Sequence, residues 1–538
     1  MTKNFTCILI LIVSIVNAQS PQAKKWDYRY GGSNAEIVTG FVQTADGGFV
    51  LYGHSSSPAN GDRSQPTKGG FDYWIVKLDS NGVKEWDKDF GGNNDDLLYS
   101  LTVTKDGGYL LGGTSYSGIS GDKTDSLRGA QDYWILKTDS AGNKLWDKTF
   151  GGNNIDWMYA CVPTADSGFI IGGYSYSDSS GEKSSANKGQ KDYWIVRTDK
   201  DGNLVWEKSY GSTGDDWFYV IRHTADDNYI LGGFSNSDSS GDKSQNTWGL
   251  YDCWIIKIDT AGNKIWDKDY GGTSIDGLYS LITTTDGGFI FGGPSISGIG
   301  GNKTQPSWGA YDYWVIKTDK DGNYEWDADF GGTGNEEVFG NIFQTSDNGY
   351  MISGLSYSGI GGNKTENNLG AEQSWVVKTD SMGNFQWDKT IFTTGHDEAG
   401  FCAQSIDGCS VFVNFTSAGT GGYKSQPSWN NTDDYWIVKF CDSVPNAIET
   451  LLPDNQIEIL PNPITDYIII KWKDIYSSSS TEINIELKNI LSEIIQTDIV
   501  ENPTDHVHLM HLSQISNGIY FIDISYGEKH YIKKLIKQ

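Results

Sequence analysis

Between Trp26 and Trp436 the apolar residues come in short clusters. Within the stretch Gly142 to Asp199 the pieces read GNKLWDKTFGG, NNIDWMYACVPTADSG, FIIGGYSYS, a long polar loop and DYWIVRTD. Each piece is strand length and is bounded by Gly, Asn, Asp or Ser, the residues that turn a chain. No segment of this region carries helical periodicity. The unit then repeats. Trp26, Trp86, Trp146, Trp206, Trp266, Trp326 and Trp387 stand 60 residues apart, with a last gap of 61. Trp74, Trp134, Trp194, Trp254, Trp314, Trp375 and Trp436 follow in step. Two ladders of seven mark one four-stranded unit used seven times. The pattern predicts an all-β fold, a seven-bladed β-propeller with four strands per blade. A parallel solenoid is the alternative, but its repeats are usually shorter than this unit of roughly 60 residues.

The two ends of the repeat region complement one another. AKKWDYRYGG (Ala23–Gly32) matches the WDKxFGG strand of later repeats, and the last repeat stops after DYWIVKF (Asp434–Phe440) without one. The N-terminal strand therefore fills the vacant outer place in the last blade, closing the ring and covering a sheet edge. The strand like DWMYACVPT is innermost, followed outward by FIIGGYS, DYWIVRT and NLVWEKSY. That order puts the short DGG and DxxGN turns on one face. The GGxxxD loops and the long loops before DYW fall on the other. Binding sites favour the face with longer, more varied loops.

The repeats resemble the secreted β-propeller repeats of Bacteroidota, of the type WDKxFGG…DGGFIxGGxS…DYWIVKxDxxGN, over Trp26 to Phe440. Beyond Cys441 the repeat stops. PNP at Pro461–Pro463, IIIKW at Ile468–Trp472, INIELKNI at Ile483–Ile490, NGIYFIDI at Asn517–Ile524 and the basic KKLIK at Lys533–Lys537 follow. Their alternating apolar residues predict a small antiparallel sandwich. PNP, the GIY strand and the basic last strand, in that order, resemble the type A sorting domain of the type IX secretion system. Leu491-Ser492 departs from that pattern, which usually has Gly in a turn there. The resemblance implies the type IX machinery as a partner and passage through the outer membrane. An ordinary accessory β-domain is the alternative.

At the start, Lys3, the apolar run Ile8 to Val16 and Val16-Asn17-Ala18 read as a signal peptide with its cleavage site. The expected organisation is a leader over 1–18, a propeller over 19–441, a linker over 442–455 and a sorting domain over 456–538. No segment is long and apolar enough for a transmembrane anchor. A net charge of -28 excludes nucleic acid as a partner. It also permits loose attraction of divalent cations. The expected location is outside the cell or on the outer-membrane surface, as a monomer.

Most conspicuous residues recur in every repeat. Glu36, Asp96, Asp156, Asp216, Asp276, Glu336 and Asp397 each lie ten positions after a first-ladder Trp. They are candidates for a cation such as Ca²⁺ near one mouth of the channel. The alternative is that each accepts hydrogen bonds from its own Gly-Gly loop. No other cofactor is indicated. A basic ladder, Arg63, Lys123, Lys183, Lys243, Lys303, Lys364 and Lys424, reads as a loop clamp.

Symmetry-breaking residues are more informative. Trp157, Trp217, Trp248, Trp308 and Trp429 fall off both ladders and map to the long-loop face. Exposed indoles beside carboxylates suit sugar rings and their hydroxyls. The alternative is that these rings fold their own loops onto the blades. Cys409 and Cys441 replace turn residues in the last blade only, on adjacent strands. That pairing predicts a disulfide, as an exported protein allows, with Cys402 as a competing partner that aligns with Cys161 on the inner strand. His54, His223 and His396 are the only histidines of the repeats, and no nucleophile or zinc motif includes them. The sequence therefore favours a non-catalytic binding or adhesion protein that engages polysaccharide or another surface protein through the long-loop face. An extracellular polysaccharide hydrolase or lyase is the alternative, and it requires a set of residues that breaks the repeat.

Overall fold

The computed structural model describes residues 22–337, 340–442, 450–451, 457–460, 466–472, 482–488, 494–501, 507–512, 515–516, 518–526 and 529–537. The expected leader, the PNP motif and Leu491-Ser492 lie outside the described residues. Two compact units emerge, one of Gln22–Asp442 and one that includes Ser443–Gln538.

The first unit is built from repeated antiparallel sheets of four strands, in chain order. The first sheet runs Glu36–Gln43, Phe49–Ser55, Asp72–Leu78 and Lys84–Phe90. The third runs Asp156–Pro163, Phe169–Ser175, Asp192–Thr198 and Leu204–Tyr210, in the order read from the sequence. Seven such sheets follow one another. In the sixth the first strand is split into Glu336–Glu337 and Ile342–Gln344. The seventh takes its outer strand from the chain start: Gln22–Tyr30 lies antiparallel to Asp434–Asp442, with Trp26 opposite Lys439. Among the described residues the single helical element is a 3-10 turn at Trp429–Asn431.

Burial explains the composition of each strand. Second and third strands are covered on both faces, so Phe-Val-Leu and Asp-Tyr-Trp-Ile-Val read as nearly continuous apolar runs. First strands alternate buried and half-buried residues. Each packs beside the first strand of the next sheet, and that of the seventh packs beside that of the first.

The two Trp ladders hold the sheets together. Second-ladder indoles are fully buried, and their N–H groups donate to the carboxylate of the WDK motif. Trp74 donates to Asp87 at 3.2 Å and Trp134 to Asp147 at 3.1 Å. Trp436 finds the same partner in Asp27 of the N-terminal strand, at 3.2 Å. Burying one such ring removes enough apolar surface to stabilise by roughly 4–6 kcal/mol before entropy. Between sheets, the Tyr73 hydroxyl donates to the Trp134 carbonyl, Tyr133 to Trp194 and Tyr193 to Trp254, each at 3.0 Å. Tyr435 donates likewise to Trp74, from the seventh sheet to the first. First-ladder rings pack against turn glycines of the next sheet. Gly142 has φ 74°, and a Cβ there would stand 2.9 Å from the Trp86 ring. Only glycine combines that backbone with that approach.

Cys409 and Cys441 are joined by a disulfide with Cα atoms 4.4 Å apart. It links the second and third strands of the seventh sheet, where the N-terminal strand places Ala23 opposite Cys441.

The second unit has a three-stranded sheet, Ile457–Leu460, Tyr467–Trp472 and Val507–His511, and a five-stranded one. The latter includes Glu482–Lys488, Ile494–Glu501, Gly518–Tyr526 and Lys529–Lys537. Ile468, Ile470 and Trp472 of one sheet share a core with Ile485, Ile522 and Leu535 of the other. The fifth strand, Thr450–Leu451, falls inside the expected linker and pairs parallel with Lys529–His530. That part of the linker thus belongs to the second unit's sheet.

Candidate functional site at the long-loop mouth

The acidic ladder is local scaffolding. All seven side chains are fully buried. Each accepts a backbone N–H from four residues earlier in its own loop: Gly92 to Asp96 and Gly152 to Asp156 at 2.7 Å, Gly272 to Asp276 at 2.6 Å. Glu36, Asp216, Glu336 and Asp397 do the same with Gly32, Ser212, Gly332 and Thr393. Burial pushes Asp216 and Asp397 up to about 6 against these bonds. The structure places these expected cation-binding carboxylates in seven separate loops, each bonded to its own backbone, and among the described residues they form no group of three with ligand atoms within 4.8 Å. The basic ladder is equally structural. Lys243 pairs with Asp269 at 2.6 Å, Arg63 with Asp89 and Lys303 with Asp329, all out of solvent.

The five unusual tryptophans divide into two groups. Trp248, Trp308 and Trp429 are exposed, and each leans on a glycine of a neighbouring sheet: Gly301, Gly362 and Gly61. Trp429 also donates to Asp62 at 3.1 Å and lies under the Arg29 guanidinium. These three hold loops against blades. Trp157 and Trp217 are half-buried on first strands, and both pack against Tyr174, at 6.5 and 5.2 Å between ring centroids. The expected set of five is thus brought together only as this pair.

The pair belongs to a larger aromatic arc. Tyr99, Tyr159, Tyr219 and Tyr279 occupy one repeat position in four consecutive sheets. Their rings follow one another at 5.2, 4.7 and 4.6 Å. A bulge explains the direction of the first three. Register slips between Leu98 and Ser100, between Met158 and Ala160 and between Phe218 and Val220, leaving the tyrosine as the extra residue. Such bulges re-aim a side chain. Phe234 and Tyr174 back the arc from second strands. At one end His54 meets Tyr99 edge-on at 6.1 Å. Tyr116 touches Trp157 and lines an open cleft of about 380 Å³ with Asn93, Asn94 and Asp95.

The other end of the arc is acidic. Burial raises the Tyr279 hydroxyl, and the Glu337 carboxylate raises it further. Glu337 and Glu398 take the register position held by Trp157 and Trp217 in the third and fourth sheets. Burial and the neighbouring Glu398 hold the Glu337 carboxyl above its usual range. Beside them the His396 imidazole is bracketed, Nδ1 by Glu372 and Nε2 by Glu398 at 2.9 Å. This set breaks the repeat as the enzymatic alternative required. Its signal was the change from Trp to Glu at one repeat position.

The mouth thus has an aromatic wall and a carboxylate–imidazole wall. Rings can stack on the apolar faces of a ligand, and the far wall can accept its hydroxyl or cationic donors.

Comparison with known proteins adds the following. Residues 458–538 match the secretion system C-terminal sorting domain. A tail of this kind engages the type IX secretion machinery, and it indicates a secreted protein or one on the outer-membrane surface. No helix among the described residues is long and apolar enough to cross a membrane. The chain is 23% identical over 394 residues to "Regulatory protein FlaEY" of Caulobacter vibrioides, which covers 66% of this chain and 40% of that protein's length. Among solved structures it is similar to Sqt1 from Chaetomium thermophilum, with 9% identity and TM-score 0.38, covering 78% of this chain and 100% of that one. It is also similar to an apocarotenoid oxygenase of Synechocystis, with 11% identity and TM-score 0.36, covering 73% and 88%.

Proposed function

We propose that Gln22–Asp442 is a closed seven-bladed β-propeller that binds a glycan at its long-loop mouth, without catalysis, on a secreted or surface-attached protein. The observation that carries this reading is the arc of four tyrosines from successive sheets, continued by Trp157 and Trp217. Consecutive half-buried rings with hydroxyl groups suit a saccharide, whose apolar faces stack while its hydroxyls find Tyr oxygens and the carboxylates opposite. A surface protein is the alternative partner for the same face. The test is binding of the purified chain to a glycan array. The double variant Trp157→Ala/Trp217→Ala should bind at least tenfold more weakly, with unchanged circular dichroism. Equal binding by that variant, or no binding of the wild type to any glycan, would count against the reading.

A second reading, a polysaccharide hydrolase or lyase, is favoured by one observation. Glu337 neighbours Glu398, which pairs with the His396 imidazole, and burial keeps a proton on Glu337 to higher pH than on an exposed carboxyl. Turnover on a polysaccharide panel that disappears in Glu337→Gln would establish it.

A further inference from the structure

We propose that Glu372, His396 and Glu398 bind one divalent transition-metal ion between the sixth and seventh sheets. One ligand atom from each of the three lies within 4.8 Å of the others, the only such group among the described residues. Glu372 immediately precedes the third strand of the sixth sheet, Gln373–Thr379. His396 and Glu398 flank the start of the seventh sheet's first strand, Asp397–Gln404. All three therefore stand on strand ends whose positions the ladders fix.

One other interface of the internal repeat holds a cation at this place. The same three positions between the third and fourth sheets hold Lys191, Asp215 and Trp217. There the Lys191 ammonium is buried, 3.0 Å from the centre of the Trp217 ring and 3.8 Å from the Asp215 carboxylate. It is a resident cation, stabilised by the ring face and the acid. Between the sixth and seventh sheets Lys is replaced by Glu, Asp by His and Trp by Glu. The built-in positive charge is absent here and donor atoms stand at the same positions, while the remaining sheets hold Phe71, Gln131, Tyr251, Tyr311 and Asp433 at the first of them. The ion pairs of Glu372 and Glu398 among the described residues run only to His396. Two carboxylates, with Glu337 beside them, thus share one imidazole.

The donor set selects the ion. One imidazole nitrogen and two carboxylates suit Zn²⁺ or Mn²⁺, whereas Ca²⁺ requires more oxygens than these side chains offer. The side chains of His396 and Glu398 are 38% and 39% exposed, so the ion would keep positions open toward the mouth.

The test uses the full secreted chain stripped with a chelator. Equilibrium dialysis against Zn²⁺ or Mn²⁺, read by elemental analysis, should give one equivalent per chain, and Ca²⁺ in excess should not displace it. The His396→Ala and Glu398→Gln variants should each bind at least tenfold more weakly. Co²⁺ should give a visible absorption band in the wild type that is lost in both variants, which separates loss of the site from loss of the fold. Failure to bind a stoichiometric ion, or retention of it in His396→Ala, overturns the proposal. Glycan binding measured in the presence of the chelator keeps this outcome separate from the reading of the aromatic arc.

Discussion

The disulfide in the seventh sheet carries a quantitative prediction. Cys409 and Cys441 are 32 residues apart in sequence and join the second and third strands of the one sheet whose outer strand comes from the far end of the chain. On the chain-entropy argument, cutting a loop of that length costs about 4 kcal/mol. How that cost shows depends on cooperativity. If the unit of roughly 420 residues unfolds as one, its entropy of unfolding near 60 °C is about 0.9 kcal/mol/K, so the midpoint falls by about 4 °C. If instead the seventh sheet opens first, the same energy acts on a much smaller cooperative unit, and an early transition splits off well below the main one. Scanning calorimetry with and without a phosphine reductant distinguishes the two. The double variant Cys409→Ser/Cys441→Ser should match the reduced protein and ignore the reductant. Hydrogen exchange at Gln22–Tyr30 should accelerate in the reduced form, because that strand pairs only with Asp434–Asp442 in its sheet. Coincident transitions within about 1 °C, with unchanged exchange at that strand, would refute the reasoning that this bond staples the sheet.

Other consequences are testable more briefly. Gly142→Ala and Gly287→Ala both place a side chain at positive φ, 74° and 84°. The second meets open space and should cost about 1 kcal/mol in urea unfolding, while the first also drives into Trp86 and should cost two or three times as much. Burial lifts Asp132, Asp216 and Asp397 to about 6 in the folded protein. An unfolded aspartate titrates near 4, so the folded state holds these protons more tightly. Their stabilising contribution is complete below pH about 4 and is lost as pH rises through about 6. The melting temperature should therefore rise on acidifying from pH 7 to 5, and a flat or falling profile in dye-based melting would contradict the burial argument. Deleting 458–538 should leave the first unit folded, because its core is its own, but retained in the periplasm by fractionation.

What the sequence reveals and hides here follows from periodicity. The scaffold was legible because every ladder residue meets an equivalent partner in each sheet, so spacing alone orders the strands. The tyrosine arc had the same 60-residue spacing, Tyr99 to Tyr279, but it was masked by 30 tyrosines in the chain. Its direction also depends on a bulge that spacing does not reveal. Trp248 and Trp308 misled for a physical reason. Lys68, Arg128 and Lys188 lay their stems over Gly121, Gly181 and Gly241 at the same position, so an indole there replaces an aliphatic cover with an aromatic one. The Glu372–His396 contact was hidden by adjacency: the two residues belong to different repeat positions, and only packing of one sheet on the next unites them. Symmetry is therefore the useful background. Trp157 and Trp217 give way to Glu337 and Glu398 at one register position, and the strand changes with them: it is split after Glu337 in the sixth sheet and shifts register directly after Glu398 in the seventh. On the binding reading proposed above, indole at one pair of sheets and carboxylate at the other is the difference that a ligand at the mouth would sense, and exchanging Trp217 with Glu398 is the substitution that tests it.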